Sequence, residues 1–317
     1  VVRVSPVQRI TSREVPLGGP RAMRVRRTLP QRVRSLIGAW CFVDHFGSDD
    51  ASRTGGMDVP PHPHTGLQTV TWLFTGEIEH RDTTGAHALV RPGQVNIMTA
   101  GRGVAHSEVS TDACRTLHGV QLWTVLPDAS RHTSRDFLHH VTEPLDLGGA
   151  QARVLMGTLA GYTSPVTAFS PLLGAELVIE PSAQVTLEVD AGFEHGVLVD
   201  QGPVGVEELD LKPAELGYLP PGAAEIRLTN LTDEPARIML LGGEPFEEPV
   251  MMWWNFIGRT HEEIVEYREA WEAGSEQFGH VQGYAGRVDR LPAPTMPTVR
   301  LKPRMKPPGA GDPSAWG

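Results

Sequence analysis

Two short pairs of residues stand out as able to hold a metal ion. His62 and His64 flank Pro63, and His106 and Glu108 flank Ser107. Side chains two apart on an extended strand project to the same face. Pro63 disfavours the helical region for His62, so the first pair is read as extended. Laid on neighbouring strands, the pairs would aim three imidazoles and one carboxylate at a common point. That donor set suits a first-row metal, and an octahedral ion held this way keeps positions open for a substrate oxygen and dioxygen. The chain contains 13 His, so a lone His-x-His arises readily by chance and is more often structural. The downstream pair, itself a His and a carboxylate, makes the metal reading specific.

Other histidines carry weaker signals. His45 closes the apolar run Leu36–Gly47, read as a buried strand ending in a loop at Asp44-His45. Its expected role is to cap that strand end by hydrogen bonding. His80-Arg81-Asp82 matches the catalytic triplet of protein kinases, but the Gly-rich loop, strand lysine and Asp-Phe-Gly that give it meaning are absent. His139 and His140 are adjacent and point to opposite faces if extended, so one ion cannot readily use both.

The elements that must position these residues read as strands. Leu67–Phe74, Ile78–Arg81, Ala88–Val90, Val95–Thr99 and Leu117–Leu126 are short apolar or alternating runs. Turn signals punctuate them at Thr75-Gly76, Thr83–Gly85, Pro92-Gly93 and Ala100–Gly103. Residues 48–61 read as a polar loop delivering His62, and 127–152 as a polar connector. From Arg153 the strand pattern resumes, and Lys212–Gly222 repeats the rhythm of Arg91–Gly101. The second half has no His-x-His and is expected to lack a metal. Thr260, followed by Glu262 and Glu263, has the form of a helix start, and Gly274 of a helix end. The apolar cluster Met251–Trp254 reads as core or domain interface. Short strands so regularly punctuated indicate an antiparallel barrel or sandwich.

The chain has 317 residues, enough for two domains. A net charge of -10 argues against non-specific binding to nucleic acid, which needs a basic surface. Residues 1–35 are nonetheless rich in Arg, read as a solvated strand surface ahead of a partner-binding face. Cys41 and Cys114 are too few for a disulfide framework, and they suit a reducing compartment. No apolar run reaches the roughly 18 residues of a membrane span. A cytoplasmic location is expected.

The segments His62-Pro63-His64, Glu79–Asp82, Met98–Gly103, His106-Ser107-Glu108 and Leu117–Trp123, with Phe42–Phe46 and Gly243–Pro245, resemble the pirin family of the cupin superfamily. The resemblance spans residues 1–275. It implies an all-β fold of two antiparallel β-barrel (cupin) domains with a short C-terminal helix. The expected division is 1–140 for a metal-binding domain, 141–290 for a second cupin without metal, and 291–317 for a mobile Pro-rich tail. The resemblance further implies one mononuclear iron (Fe2+/Fe3+) on His62, His64, His106 and Glu108, although such ligands also accept other divalent first-row metals. Pirins usually carry Arg after the second ligand His and Glu three residues later; here these are Thr65 and Gln68. Gln68 leaves the carboxylate role to Glu108.

Two functions follow from the resemblance. One is quercetin (flavonol) 2,3-dioxygenase activity, with Glu108 as ligand or as the base for the flavonol 3-hydroxyl. The other is a redox-sensing regulator that binds transcriptional or metabolic proteins without turnover, with the arginine-rich start as a contact face. Neither involves direct nucleic-acid or membrane binding.

Overall fold

Hydrophobic alternation folds each half of this chain into two facing antiparallel sheets. The computed structural model describes residues 7–17, 23–286 and 288–304. The strands of the first half are β2 (Arg13–Leu17), β3 (Met23–Leu29), β4 (Trp40–Asp50), β5 (Asp58–His64), β6 (Leu67–Thr75) and β7 (Ile78–Asp82). They continue with β8 (His87–Val90), β9 (Gln94–Thr99), β10 (Val104–Ser110), β11 (Thr116–Val125) and β12 (Asp136–Val141). The strand before them, β1 (Gln8–Thr11), leaves this half and pairs with Glu215–Leu219 of the second. The larger sheet runs β12-β9-β6-β11-β4-β3-β2 and the smaller β5-β10-β7-β8. Phe46 and Leu73 from the larger sheet meet Val59, Ile78 and Val90 from the smaller in one buried cluster.

The second half repeats the plan with a seven-stranded and a four-stranded sheet. Leu177, Val197 and Leu240 of one pack against Val185, Leu211 and Leu228 of the other. Among the described residues the sheets of each half stay separate, so the expected barrel is realised as two curved layers and not as one closed hydrogen-bonded ring.

The halves share a core. Trp40, fully buried, donates its indole N–H towards the carbonyls of Leu173 and Gly242 at 3.0 and 3.1 Å. Trp72 donates to Glu176 at 3.2 Å. Glu194 accepts from the Gly38 N–H and from the Tyr218 hydroxyl, both at 2.9 Å.

Several local expectations change. β4 runs through Asp44 and His45 to Asp50, so no loop opens there. These polar residues can lie mid-strand because both are paired: Asp44 takes a two-pronged contact from Arg27 at 2.7 Å, and His45 reaches Asp200 of the second half at 2.6 Å. A buried polar group that is paired avoids the desolvation penalty of an orphan. Part of the polar connector forms the edge strand β12 on β9. The loop before His62 contains a short helix, Ala51–Thr54. The helix start at Thr260 is as expected, its hydroxyl accepting from the Glu263 N–H at 3.2 Å, and the helix spans His261–Glu272.

The tail offers few apolar anchors in sequence, yet 288–304 lies against the protein through its backbone. Leu291 donates to the Pro61 carbonyl at 2.8 Å and accepts from the Trp271 indole at 2.8 Å. Arg304 donates to the Val250 carbonyl at 2.6 Å. Residues 305–317, the end of the expected tail, lie outside the described residues.

Candidate metal centre

The ligand pairs sit on adjacent strands of the smaller sheet. β5 and β10 pair antiparallel with His62 opposite His106 and His64 opposite Val104. The register then slips between His106 and Glu108, so that Glu108 faces Val59. The slip falls at Pro60-Pro61, which lack the N–H groups a regular ladder needs. A tight turn sets β10 in place: Gly103 donates to the Ala100 carbonyl at 2.9 Å, and Gly101 has φ +51°.

The structure brings the three imidazoles together and sets Glu108 beside His106. His62, His64, His106 and Glu108 are all buried and line one cavity of about 400 Å³. The three imidazoles place ligand atoms within 4.8 Å of one another, and Glu108 comes as close to His106 and His80. Nε2 of His64 and of His106 lie 3.1 Å apart. Ligands held about 2.0–2.1 Å from one ion stand about 3 Å apart when adjacent in its shell. The three imidazoles therefore fit one mononuclear metal, with Glu108 grouped with His106 and His80 and not with His62 and His64.

Protonation suits ligation. Burial drives the His62 pKa down to about 4, and it holds those of His64 and His106 well below the ordinary value. The rings are neutral near pH 7. Their tautomers follow from the hydrogen bonds. Nδ1 of His62 lies 2.9 Å from the Pro60 carbonyl and must donate to it, which frees Nε2. His80 Nε2 meets Asp82 at 3.0 Å, and His80 Nδ1 meets His106 Nδ1 at 3.4 Å. If His80 donates to Asp82, its other nitrogen accepts from His106, and His106 Nε2 is free for an ion. Burial raises the pKa of Glu108, while the Thr71 hydroxyl at 3.0 Å favours the carboxylate.

His80 and Asp82 are the positions that sequence reasoning passed over. Their signal was present: two residues apart on β7, beside β10, they share a face as the ligand pairs do. Gln68, where cupins often place a Glu ligand, is turned away from the cluster. Its side chain bonds Thr99 at 3.0 Å, Thr124 at 3.3 Å and the Thr167 carbonyl at 3.4 Å. His45 is not at this site. It forms a separate buried group with His118 and Asp200, both imidazole Nε2 atoms lying 2.6 Å from the same Asp200 oxygen. Burial would raise the Asp200 pKa, but hydrogen bonds from His118 and His45 outweigh it and hold the carboxyl far below its ordinary value.

Duplicated facing sheets with a histidine-lined cavity in the first half define a two-domain cupin protein. A family model for pirin matches residues 22–124, and one for the pirin C-terminal cupin domain matches 174–279. The chain is 42% identical over 292 residues to a Pseudomonas aeruginosa protein named "Putative quercetin 2,3-dioxygenase PA1205", covering 92% of this chain and 91% of that one. It is 35% identical to a pirin-like protein of Caulobacter vibrioides, over 79% of this chain and 88% of the other. Among solved structures it resembles a quercetin 2,3-dioxygenase from Acinetobacter baumannii, at 36% identity and TM-score 0.86, over 93% of this chain and 97% of that one. The chain belongs to the pirin family. No helix among the described residues is long and apolar enough to cross a membrane.

Proposed function

We propose that this protein is a mononuclear iron dioxygenase that opens the ring of flavonol-type substrates such as quercetin. The convergence of His62, His64, His106 and Glu108 on one cavity carries this reading. The sequence relatives and the structural neighbour named for quercetin 2,3-dioxygenase support it. When bound, iron would supply the redox chemistry with dioxygen and acidify a coordinated hydroxyl.

The chain's own residues account for the remainder. Phe42 and Trp123 stack at 4.0 Å between ring centroids, and Trp123 meets His64 edge-on at 5.0 Å. Both rings line the cavity, so the stack gives an aromatic wall beside the ligand cluster, suited to an aromatic substrate. Glu108 is placed to accept the proton of the flavonol hydroxyl, and its raised pKa makes it the stronger base for that role. Thr71, 3.0 Å from Glu108 and 2.9 Å from the Gln121 side-chain oxygen, can serve either with its single hydroxyl proton. A carboxylate that gains a proton can thus keep its orientation. Asp82 and His80 hold His106 in its ligating tautomer.

The test is turnover. Iron-loaded protein given quercetin under air should consume it and release carbon monoxide, and His62→Ala should abolish both. Equal consumption by the two proteins would defeat the proposal.

A further inference from the structure

The cavity above the metal cluster has a charged rim that a neutral flavonol does not explain. Three guanidinium side chains line it, from Arg13 on β2, Arg27 on β3 and Arg304 at the end of the 288–304 strap. Arg27 is neutralised by Asp44 through both of its prongs. Neither Arg13 nor Arg304 pairs with a carboxylate among the described residues. Arg13 reaches only the Pro30 carbonyl, at 3.4 Å. Arg304 is anchored by its backbone to Val250, which leaves its side chain to the cavity.

Burial lowers the Arg304 pKa, and the neighbouring Arg13 and Arg27 charges lower it further. Asp44 pairs with one of the three guanidinium groups, that of Arg27. Clustered arginines over a partly desolvated cavity are the usual recognition element for carboxylate, sulfate or phosphate groups. The rim is also continuous with the aromatic wall. The Arg27 guanidinium lies 4.2 Å above the Phe42 ring, which stacks on Trp123, which touches His64. With Trp123 on one face of Phe42 and Arg27 on the other, an aromatic ligand packed against the cavity-facing edges of this stack would have one end at the metal ligands and the other among the arginines.

We propose that the substrate of this site is an anionic aromatic compound, its ring system packed beside Phe42 and Trp123 in the cavity and its anionic group bound by Arg13 and Arg304. The inference rests on the dioxygenase reading for the chemistry at the metal end, and on the arginine rim for the charge. The residue that completes the rim, Arg304, lies beyond the segment matched by the C-terminal family model, which ends at residue 279. The strap therefore supplies specificity that the two cupin domains alone do not.

A matched pair of probes tests this. Binding of quercetin and of quercetin monosulfonate to the metal-loaded protein is measured by quenching of tryptophan fluorescence, since Trp123 and Trp254 both line the cavity. At low salt the sulfonate should bind at least about tenfold more tightly, a difference of ~1.4 kcal/mol. In the double variant R13Q/R304Q the preference should fall towards one, and in R13K/R304K much of it should return. Metal content and thermal midpoint, measured on each variant, separate a folding defect from a lost contact. Sulfonate binding no tighter than quercetin, or a preference that survives R13Q/R304Q in a folded protein, would overturn the proposal. Turnover of both probes without a preference would leave the dioxygenase standing and remove the arginine site. Preferred sulfonate binding with turnover of neither probe would do the reverse.

Discussion

Metal uptake by the metal-free protein should be almost indifferent to mild acid, as far as its histidines are concerned. Protons compete with a metal for each ligand, and the competition is set by the ligand's pKa in the metal-free state. An ordinary imidazole of pKa about 6.5 is roughly 97% protonated at pH 5, which weakens binding about 30-fold per ligand and by roughly four powers of ten for three. Here burial has already removed that competition. With its pKa at about 4, His62 is still roughly nine-tenths neutral at pH 5. His64 and His106 are likewise held well below the ordinary value by burial. Glu108 acts in the opposite sense, because a raised carboxyl pKa brings its proton into competition above the usual 4.5. The logarithm of the zinc affinity, plotted against pH between 6 and 5, should therefore have a slope of about one or less, not the near three of ordinary histidines. Calorimetric titration with zinc in buffers of different ionisation enthalpy also counts the protons released: at most about one is expected, not nearly three. A slope of two or more, with a matching proton count, would show that the rings are solvated in the metal-free protein. The buried, preformed cluster described above would then be wrong.

Three further outcomes are expected. Asp200→Ala should cost about 3–5 kcal/mol in urea denaturation, because it leaves Arg237, His45 and His118 without the carboxylate that joins them across the halves. His195 is fully buried, with neither ring nitrogen partnered among the described residues, and burial lowers its pKa to about 4. A folded-state pKa below the unfolded one means that stability is lost as pH falls from 6.5 towards 4. This group should cost roughly 2 kcal/mol by pH 5, and the loss should be absent from His195→Leu in paired melts at pH 7 and 5. Gly101→Ala would place a methyl 2.0 Å from the Thr133 carbonyl at a φ of +51°. It should destabilise by more than about 1 kcal/mol and lower the metal content of purified protein.

The clustering of His62, His64 and His106 was legible in sequence because strand geometry is periodic. His-x-His and His-x-Glu can share a face only if extended, and their spacing survives whatever the tertiary fold does around it. Two repeats of short strands were legible for the same reason. His45 was misread because a strand's end is inferred from polarity. Asp44 and His45 look like a loop until Arg27 and Asp200, distant in sequence, are seen to satisfy them. His80 was hidden because its role depends on β7 lying beside β10, a pairing between strands that no local pattern announces. The strap was passed over because its apolar anchors Leu291, Ala293, Met296 and Leu301 are scattered among prolines with no period, and its backbone hydrogen bonds to Pro61 and Val250 leave no local pattern.

The arrangement divides labour between rigid and added parts. The ligand cluster rests on two hydrogen-bonded strands, and β10, which carries His106 and Glu108, is laddered to β5 on one side and β7 on the other. Elements outside that sheet shape the mouth of the cavity: β2, β3, the Met251–Trp253 strand region and the strap. Substitutions there can change what enters without moving the metal ligands. Strands of one cupin can therefore preserve a metal chemistry while the segments around the opening select among aromatic substrates. The three arginines, drawn from two such strands and the strap, are placed where that selection by charge would act.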